Sequence, residues 1–593
     1  MNSTVKRILI SFVIFALLFS IGCSKRSDSA VTDAESESTE SNQNESGNGD
    51  SDQAFESDFE STDESNDENK EENLHTEPYY INLDGYTVIY PEGTGDNFKS
   101  YLERFCELLR EYTGADIALK SDLCGVGEKE ILLGNTNRRE SNDANAELAE
   151  KTKNYDSFII RNYGESIVIG GRREKVVLRA MKRFLMNYAK ACETDKSIIF
   201  PFGEREIDTV DVESLLFENF TEISIGTQSE MAKMQSSTAE NSNVYSYESI
   251  IELAHNGEDN GTLIATYTVY NRRERRIYKS NDGGETWKCI SYVYNTSSEY
   301  LSKYSMQATL FELPRDMGRF KEGTLFMADS TYADNAEGIE TTAITLYYST
   351  DKGESWKSYC KLKDGLNYSL HLGVYEPYLY YDDVTERVYC FYADETYPKS
   401  ADITQKLVCH YTDDMDNWSE TVDVINGDDE LLRPGMPCVT KMGNGEYFLV
   451  YEIYHPEEKR APVYYQKLES LEGFRSKDYG VLLETDDGKR LSASPWCVWT
   501  PMGGECGTLF VVGCGMNEGK AIWGQSDIFV SFDYGENFTA IKNPVQVLSY
   551  GVRKIGYSPS IFASADGMTI HYCVNTANYN CEVSVMYTAI KIW

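Results

Sequence analysis

The chain has 593 residues, with 96 acidic against 56 basic side chains and a formal net charge of −40. That balance argues against nucleic-acid binding, which requires a basic face, and against a polyanion as the default ligand. The length and a hydrophobic content of 41% allow several packed domains.

The first element is a targeting segment. Lys6 and Arg7 precede an apolar run from Ile8 to Ile21, interrupted only by Ser11 and Ser20, and Gly22-Cys23 follows. A basic start, a short apolar stretch and a small residue before the break read as a secretory signal, too short for a spanning helix. The stretch Leu18-Phe-Ser-Ile-Gly-Cys23 resembles a bacterial lipoprotein box, although Ser20 stands where that pattern has Leu. The resemblance implies that the Cys23 thiol carries a lipid and that the mature protein sits on the outer face of the cell membrane. From Ser24 to Glu77 the chain is almost all Ser, Glu, Asp, Asn, Gly and Thr, with eighteen acids against three bases. It has too little apolar surface to offset its ordering entropy and is expected to be a self-repelling tether.

Residues 78–212 read as a small α/β domain. Strands are expected at Tyr86–Pro91, Asp116–Leu119 and Glu130–Gly134, and a hairpin at Phe158–Arg161 and Ser166–Gly171. Helices are expected at Asn97–Tyr112, ended by Gly114, and at Glu174–Ala191, from apolar residues at the 3.6 period. The phrases Glu130-Ile-Leu-Leu-Gly-Asn-Thr and Gly164-Glu-Ser-Ile-Val-Ile-Gly-Gly resemble the accessory domain that precedes the barrel in hexosaminidases. No catalytic set is expected there.

Residues 213–593 carry an internal repeat. Ser280-Asn-Asp-Gly-Gly-Glu-Thr-Trp287 recurs as Ser349-Thr-Asp-Lys-Gly-Glu-Ser-Trp356 and Ser531-Phe-Asp-Tyr-Gly-Glu-Asn-Phe538, with a worn copy at Tyr411-Thr-Asp-Asp-Met-Asp-Asn-Trp418. These resemble the Asp boxes of the sialidase superfamily. Asp282 and Asp351 are 69 residues apart, Asp351 and Asp413 are 62, and Asp413 and Asp533 are 120, about two periods with one copy lost. A unit of roughly 60 residues suits a four-stranded blade, so the fold expected is mainly β: a six-bladed β-propeller behind the α/β domain. The box itself is turn chemistry, with Asp accepting backbone N–H groups and Gly in a conformation that other residues avoid. Its aspartates are therefore expected to be structural.

The candidates for chemistry are two glutamates in aromatic strands, Glu376 in Gly373-Val-Tyr-Glu-Pro-Tyr-Leu-Tyr-Tyr and Glu452 in Tyr447-Phe-Leu-Val-Tyr-Glu-Ile-Tyr. Burial raises a carboxyl pKa toward the range a general acid needs, and a carboxylate pair is the usual equipment for cleaving a glycosidic bond. Glu376-Pro, followed by Arg433-Pro-Gly-Met-Pro-Cys-Val-Thr-Lys-Met-Gly-Asn-Gly-Glu-Tyr-Phe-Leu-Val-Tyr-Glu452, resembles glycoside hydrolase family 93, exo-arabinanases on six-bladed propellers. The resemblance implies an exo-glycosidase with Glu376 as acid/base and Glu452 as nucleophile, or the reverse. Arg433, Tyr451, Trp496, Arg553 and Tyr557 are the expected substrate-binding residues, Trp496 and Trp499 offering stacking surfaces. An exo-α-sialidase is one alternative, with Arg433 and Arg553 toward a sugar carboxylate and Tyr557 as the sialidase tyrosine. A glycan-binding lipoprotein without activity is another. No cofactor or metal is expected, the partner is an oligo- or polysaccharide, and a monomer is expected. His371 and the run 271–276 are read as structural.

Overall fold

The computed structural model describes residues 79–593 apart from 193–194, 201–204, 235–244, 270–273, 295–301, 335–337, 398–403, 428–430, 458 and 518–519. The expected signal segment, Cys23 and the acidic tether lie outside the described residues.

A six-stranded sheet forms the middle of the α/β domain. Its spatial order is Ala118–Ser121, Thr87–Tyr90, Glu130–Leu133, Ser166–Gly171, Ser157–Asn162 and Arg205–Thr209. The first four strands run parallel, the fifth runs against them, and the sixth pairs antiparallel with the fifth. Alternation along the strands divides the side chains between two faces. Val88, Ile131, Leu133, Ile167 and Ile169 pack under helices α1 (Asp96–Thr113) and α3 (Glu174–Phe184). Ile89, Leu132 and Val168 meet Ala144 and Leu148 of α2 (Arg139–Lys151) on the other face. Gly114, at φ 70, closes α1 in the left-handed conformation. The sequence did not announce α2, because it buries only Ser141, Ala144 and Leu148, too few to make an apolar period.

The propeller has six blades. Blades 1 to 5 (245–294, 302–364, 374–426, 433–482 and 491–541) are antiparallel four-stranded sheets whose spatial order follows the sequence. Blade 6 contains Ser560–Ala563, Thr569–Ala577 and Val583–Ile592, and its fourth strand is Glu222–Met234 from the start of the propeller. Pairing of the two propeller ends, from Ile223↔Ile592 to Met234↔Val583, closes the ring by completing the last blade with a strand from the first part of the propeller.

The Asp boxes occupy the hairpin between the third and fourth strands of a blade. Asp282 Oδ1 accepts from the Thr286 N–H at 2.9 Å and from Ser280 Oγ at 2.7 Å, and the Thr286 hydroxyl, the Thr286 N–H and Ser280 together hold its pKa down to about 2. Asp351 and Asp533 repeat the geometry. Gly284, at φ 91, has no room for a Cβ, which would fall inside the Tyr587 ring. In blade 3 the register differs from the expected one. Asp414, not Asp413, takes the box position, paired with Thr412 and accepting from the Asn417 N–H at 2.7 Å, because the turn is one residue tighter there. A further Ser-x-Asp turn at Ser564 and Asp566, in blade 6, had too little motif left to be read.

The α/β domain docks where the ring closes. Glu222, buried at the first residue of the closing strand, lies 3.1 Å from Lys182 and 3.3 Å from Arg179 of α3, and accepts from Trp593 Nε1 at 3.1 Å. Lys182 also donates to the Trp593 carbonyl at 2.9 Å. Burial pulls Lys182 down to about 8 while Glu222 pulls it up, so the ammonium stays charged at neutral pH.

Candidate active site

The innermost strands of the blades share one irregularity. The ladder slips between Ser246 and Ser249 in blade 1, Met306 and Ala308 in blade 2, Tyr375 and Tyr378 in blade 3, Gly435 and Cys438 in blade 4, and Ser492 and Trp496 in blade 5. At or beside these bulges Tyr247, Glu376, Met436, Ala493 and Ser494 have φ between 46° and 61°, and Ser558 stands at φ 60° just before the inner strand of blade 6. A bulge re-aims the side chain that it carries, and left-handed backbone at non-glycine residues costs energy that marks functional positions. In four blades the left-handed residue precedes proline: Glu376-Pro377, Met436-Pro437, Ser494-Pro495 and Ser558-Pro559. Proline is tolerated there because the interrupted ladder needs no N–H. Tyr247, Gln307, Glu376, Met436, Ser494 and Ser558 thus come together around one pocket at the channel mouth.

Glu376 lines this pocket, and Glu452 lies near enough for its charge to act on Glu376. Glu376 Oε2 accepts from the Met436 N–H at 3.0 Å, and Glu452 Oε2 accepts from the Ser494 N–H at 3.0 Å. Each carboxyl is therefore held by the left-handed residue of the next blade. Gly435, paired directly with Glu452, leaves room for the Glu376 carboxyl: a Cβ there would lie 2.9 Å from Glu376 Oε2 and 2.7 Å from Gln405 Nε2. Burial raises Glu376 to about 8, and the neighbouring Glu452 adds to the rise while the Met436 N–H and Arg433 oppose it. Burial raises Glu452 to about 7, with the Ser494 N–H, Arg433 and Lys554 opposing. Two carboxyls in one desolvated site cannot both ionise cheaply, so the pair holds one proton near neutral pH.

The other expected site residues divide. Arg433, at the start of the inner strand of blade 4, lies close enough for its charge to reach both glutamates. Its guanidinium is bonded to Glu395 and to Gln405 Oε1, the latter at 3.1 Å. Tyr557 is at the pocket, its ring edge-on to Tyr247 at 5.6 Å and its hydroxyl 3.7 Å from Met436 Sδ. Trp496 packs edge-on to Tyr378 at 5.5 Å and lines both this pocket and a second cavity further down the channel, so it forms the partition between them. Tyr451 is not in the site. It points to the opposite face of its strand from Glu452, fully buried between sheets, with its hydroxyl on the Tyr479 carbonyl at 3.0 Å. Arg553 is exposed and does not line the pocket. Its neighbour Lys554 takes the position beside Tyr247 and Tyr557, at 5.8 and 5.5 Å from their rings, and its charge reaches Glu452. Trp499 bonds the Cys506 carbonyl at 3.0 Å within the wall between blades. His371 caps a short turn at φ 56, within electrostatic reach of Glu395. Among the described residues no three His, Cys, Asp or Glu side chains gather as a metal site would need.

Lys554, Tyr247, Glu248, Gln307, Met436, Ser494 and Ser558 escaped the sequence reading. The signal for three of them was the X-Pro repeat at intervals of about 60 residues, hidden because the residue before proline changes from Glu to Met to Ser along the copies.

No protein-family model matches the chain, and no curated protein matches it. Among solved structures it is similar to the α-L-arabinanase of Penicillium chrysogenum in complex with arabinobiose, at 28% identity over 61% of this chain and 98% of that one, TM-score 0.51. The propeller shares the fold of an arabinanase. The GH93 α-L-arabinofuranosidase of Fusarium graminearum, also in complex with arabinobiose, matches at 28% identity over 58% of this chain and 93% of that one, TM-score 0.48. The NanB sialidase of Streptococcus pneumoniae matches at 11% identity over 68% and 76%, TM-score 0.39.

Proposed function

We propose that this chain is an exo-acting glycoside hydrolase that removes terminal sugars from an arabinan-like glycan, with Glu376 and Glu452 as its catalytic carboxyls and Cys23 as a lipid anchor at the cell surface. The observation that carries the reading is a pair of buried carboxyls on consecutive blades, Glu376 held by the Met436 N–H and Glu452 by the Ser494 N–H, near enough that the charge of Glu452 raises the pKa of Glu376. The protonated partner delivers its proton to the glycosidic oxygen as the bond to the anomeric carbon breaks. The ionised partner attacks that carbon or activates a water toward it, and a proton from water restores the acid. The higher value belongs to Glu376, which starts as the acid in the free protein, and the cations Arg433 and Lys554 favour ionisation of Glu452. Likeness to an arabinanase solved with arabinobiose supports the substrate class.

An anionic sugar is disfavoured. The Arg433 guanidinium is already engaged by Glu395 and Gln405, and Arg553 does not line the pocket. A neutral pentose needs no cation to balance its charge.

Hydrolysis of linear arabino-oligosaccharides and of sialosides by the purified protein tests this, with Glu376→Gln and Glu452→Gln alongside. Release of arabinose or arabinobiose, lost about 10³-fold or more in both variants, is expected. Turnover of sialosides alone, or arabinan cleavage that survives both substitutions, refutes it. With azide present, the truncated variant, Glu376→Ala or Glu452→Ala, that yields a glycosyl azide of retained configuration names the acid/base, and the one that yields the inverted azide names the nucleophile.

A further inference from the structure

Two polar groups in the pocket have no use in the proton transfer just described. Glu248, on the inner strand of blade 1, is 2% exposed, and neither carboxyl oxygen has a hydrogen-bond partner. Gln307, on the inner strand of blade 2, is 8% exposed, and its Oε1 is likewise unpartnered. Both line the cavity that holds Glu376, with Tyr247, Thr309 and Tyr378 around them. Thr309 spends its hydroxyl on the Pro377 carbonyl at 3.1 Å and leaves the other two polar groups as they are.

A buried carboxyl without a partner costs free energy that an aliphatic side chain of the same size would not. Packing therefore does not account for Glu248, and a ligand that satisfies it does. Burial holds its pKa well above the ordinary carboxylate value, which favours the neutral carboxyl, a group with one O–H donor and one acceptor oxygen. The Gln307 amide presents a donor and an acceptor beside it. Adjacent hydroxyls of a sugar ring, each both donor and acceptor, complement such a pair of neutral groups.

We propose that Glu248 and Gln307 form the sugar-recognition wall of the pocket, binding neighbouring hydroxyl groups of the glycosyl unit whose bond the glutamate pair cleaves. This rests on the reading of Glu376 and Glu452 as that pair. Glu248 is a specificity-determining residue here and takes no part in proton transfer. The site thereby selects a neutral sugar with free ring hydroxyls and discriminates against deoxy analogues, because an unmatched analogue leaves the buried groups unpaired.

The test compares Glu248→Leu and Glu248→Gln with the parent protein, using arabinotriose as substrate and thermal melting at pH 7 as a second readout. The leucine variant is expected to melt higher than the parent while kcat/KM falls about 10²-fold, since it removes an unsatisfied group and the sugar contact together. The glutamine variant keeps neutral hydrogen bonding and is expected to retain kcat/KM within about tenfold. A leucine variant with kcat/KM within threefold of the parent overturns the proposal, as does a glutamine variant as impaired as the leucine one. A leucine variant that melts lower than the parent assigns Glu248 a structural role and overturns it too. If the parent protein hydrolyses nothing, the catalytic reading has failed separately, and calorimetric titration with arabinobiose decides this one. Affinity lost in Glu248→Leu supports it; equal affinity, or no binding by the parent, overturns it.

Discussion

Replacing Glu376 by Gln should abolish turnover and make the protein more stable in mild alkali. In the folded protein the Glu376 carboxyl titrates at about 8 against a usual value of 4.5. The folded state thus holds a proton that the unfolded chain has lost between those limits, and wild-type stability falls as pH rises through that window. At about 1.4 kcal/mol per unit the full shift corresponds to roughly 5 kcal/mol; because the group keeps some contact with water and shares its titration with Glu452, about 2–3 kcal/mol is the working figure. Glutamine keeps the shape and the bond from the Met436 N–H and has no charge to desolvate. Urea unfolding of both proteins at half-unit steps from pH 4 to 9 measures the effect. The two curves should lie together near pH 4, separate progressively above pH 4.5, and run parallel beyond pH 8 with the variant more stable. Parallel profiles from pH 4.5 to 8 would refute the claim that Glu376 is held protonated by burial beside Glu452.

The pH dependence of kcat/KM should be bell-shaped with its limbs near 7 and 8, the values of the coupled pair, and not in the ordinary carboxylate range. Lys554→Met should move the acid limb upward, because its charge favours ionised Glu452, whereas Arg553→Met should leave the limb where it is; equal effects would show that the cation has been misassigned. Gly435→Ala should lower kcat/KM by about 10²-fold by pushing the Glu376 carboxyl aside, yet cost only about 1–2 kcal/mol in urea, since the groups it meets are side-chain ends. Lys182→Met should cost about 3 kcal/mol and open the junction between the domains to proteolysis, because buried Glu222 loses a partner. A variant as resistant as the parent would deny that junction any role in stability.

Some features were written locally and could be read without a fold. The Asp boxes at Ser280, Ser349 and Ser531 are complete turns within eight residues, so their chemistry survives in the string and their spacing counts blades. Gly114 and the periods of α1 and α3 are local for the same reason. Glu376 and Glu452 stood out by their aromatic surroundings. Tyr451 looked equivalent to its neighbour, yet strand alternation sends it to the other face, and only pairing fixes which face is the pocket. Arg553 and Lys554 are adjacent cations, and the left-handed turn at Lys554, φ 59, decides which one meets Glu452.

What the sequence by itself determined is the repeat, the number of blades, the turn chemistry and a short list of acids. What the tertiary structure decided is which of them meet. Glu248, Gln307, Glu376, Glu452 and Lys554 are spread over more than 300 residues and belong to different blades. Glu248, Gln307 and Glu376 line one pocket, with Glu452 and Lys554 within electrostatic reach, because pairing of Glu222–Met234 with Val583–Ile592 closes the ring of blades. Closure of that kind is a property of the whole chain, and no local window of residues contains it.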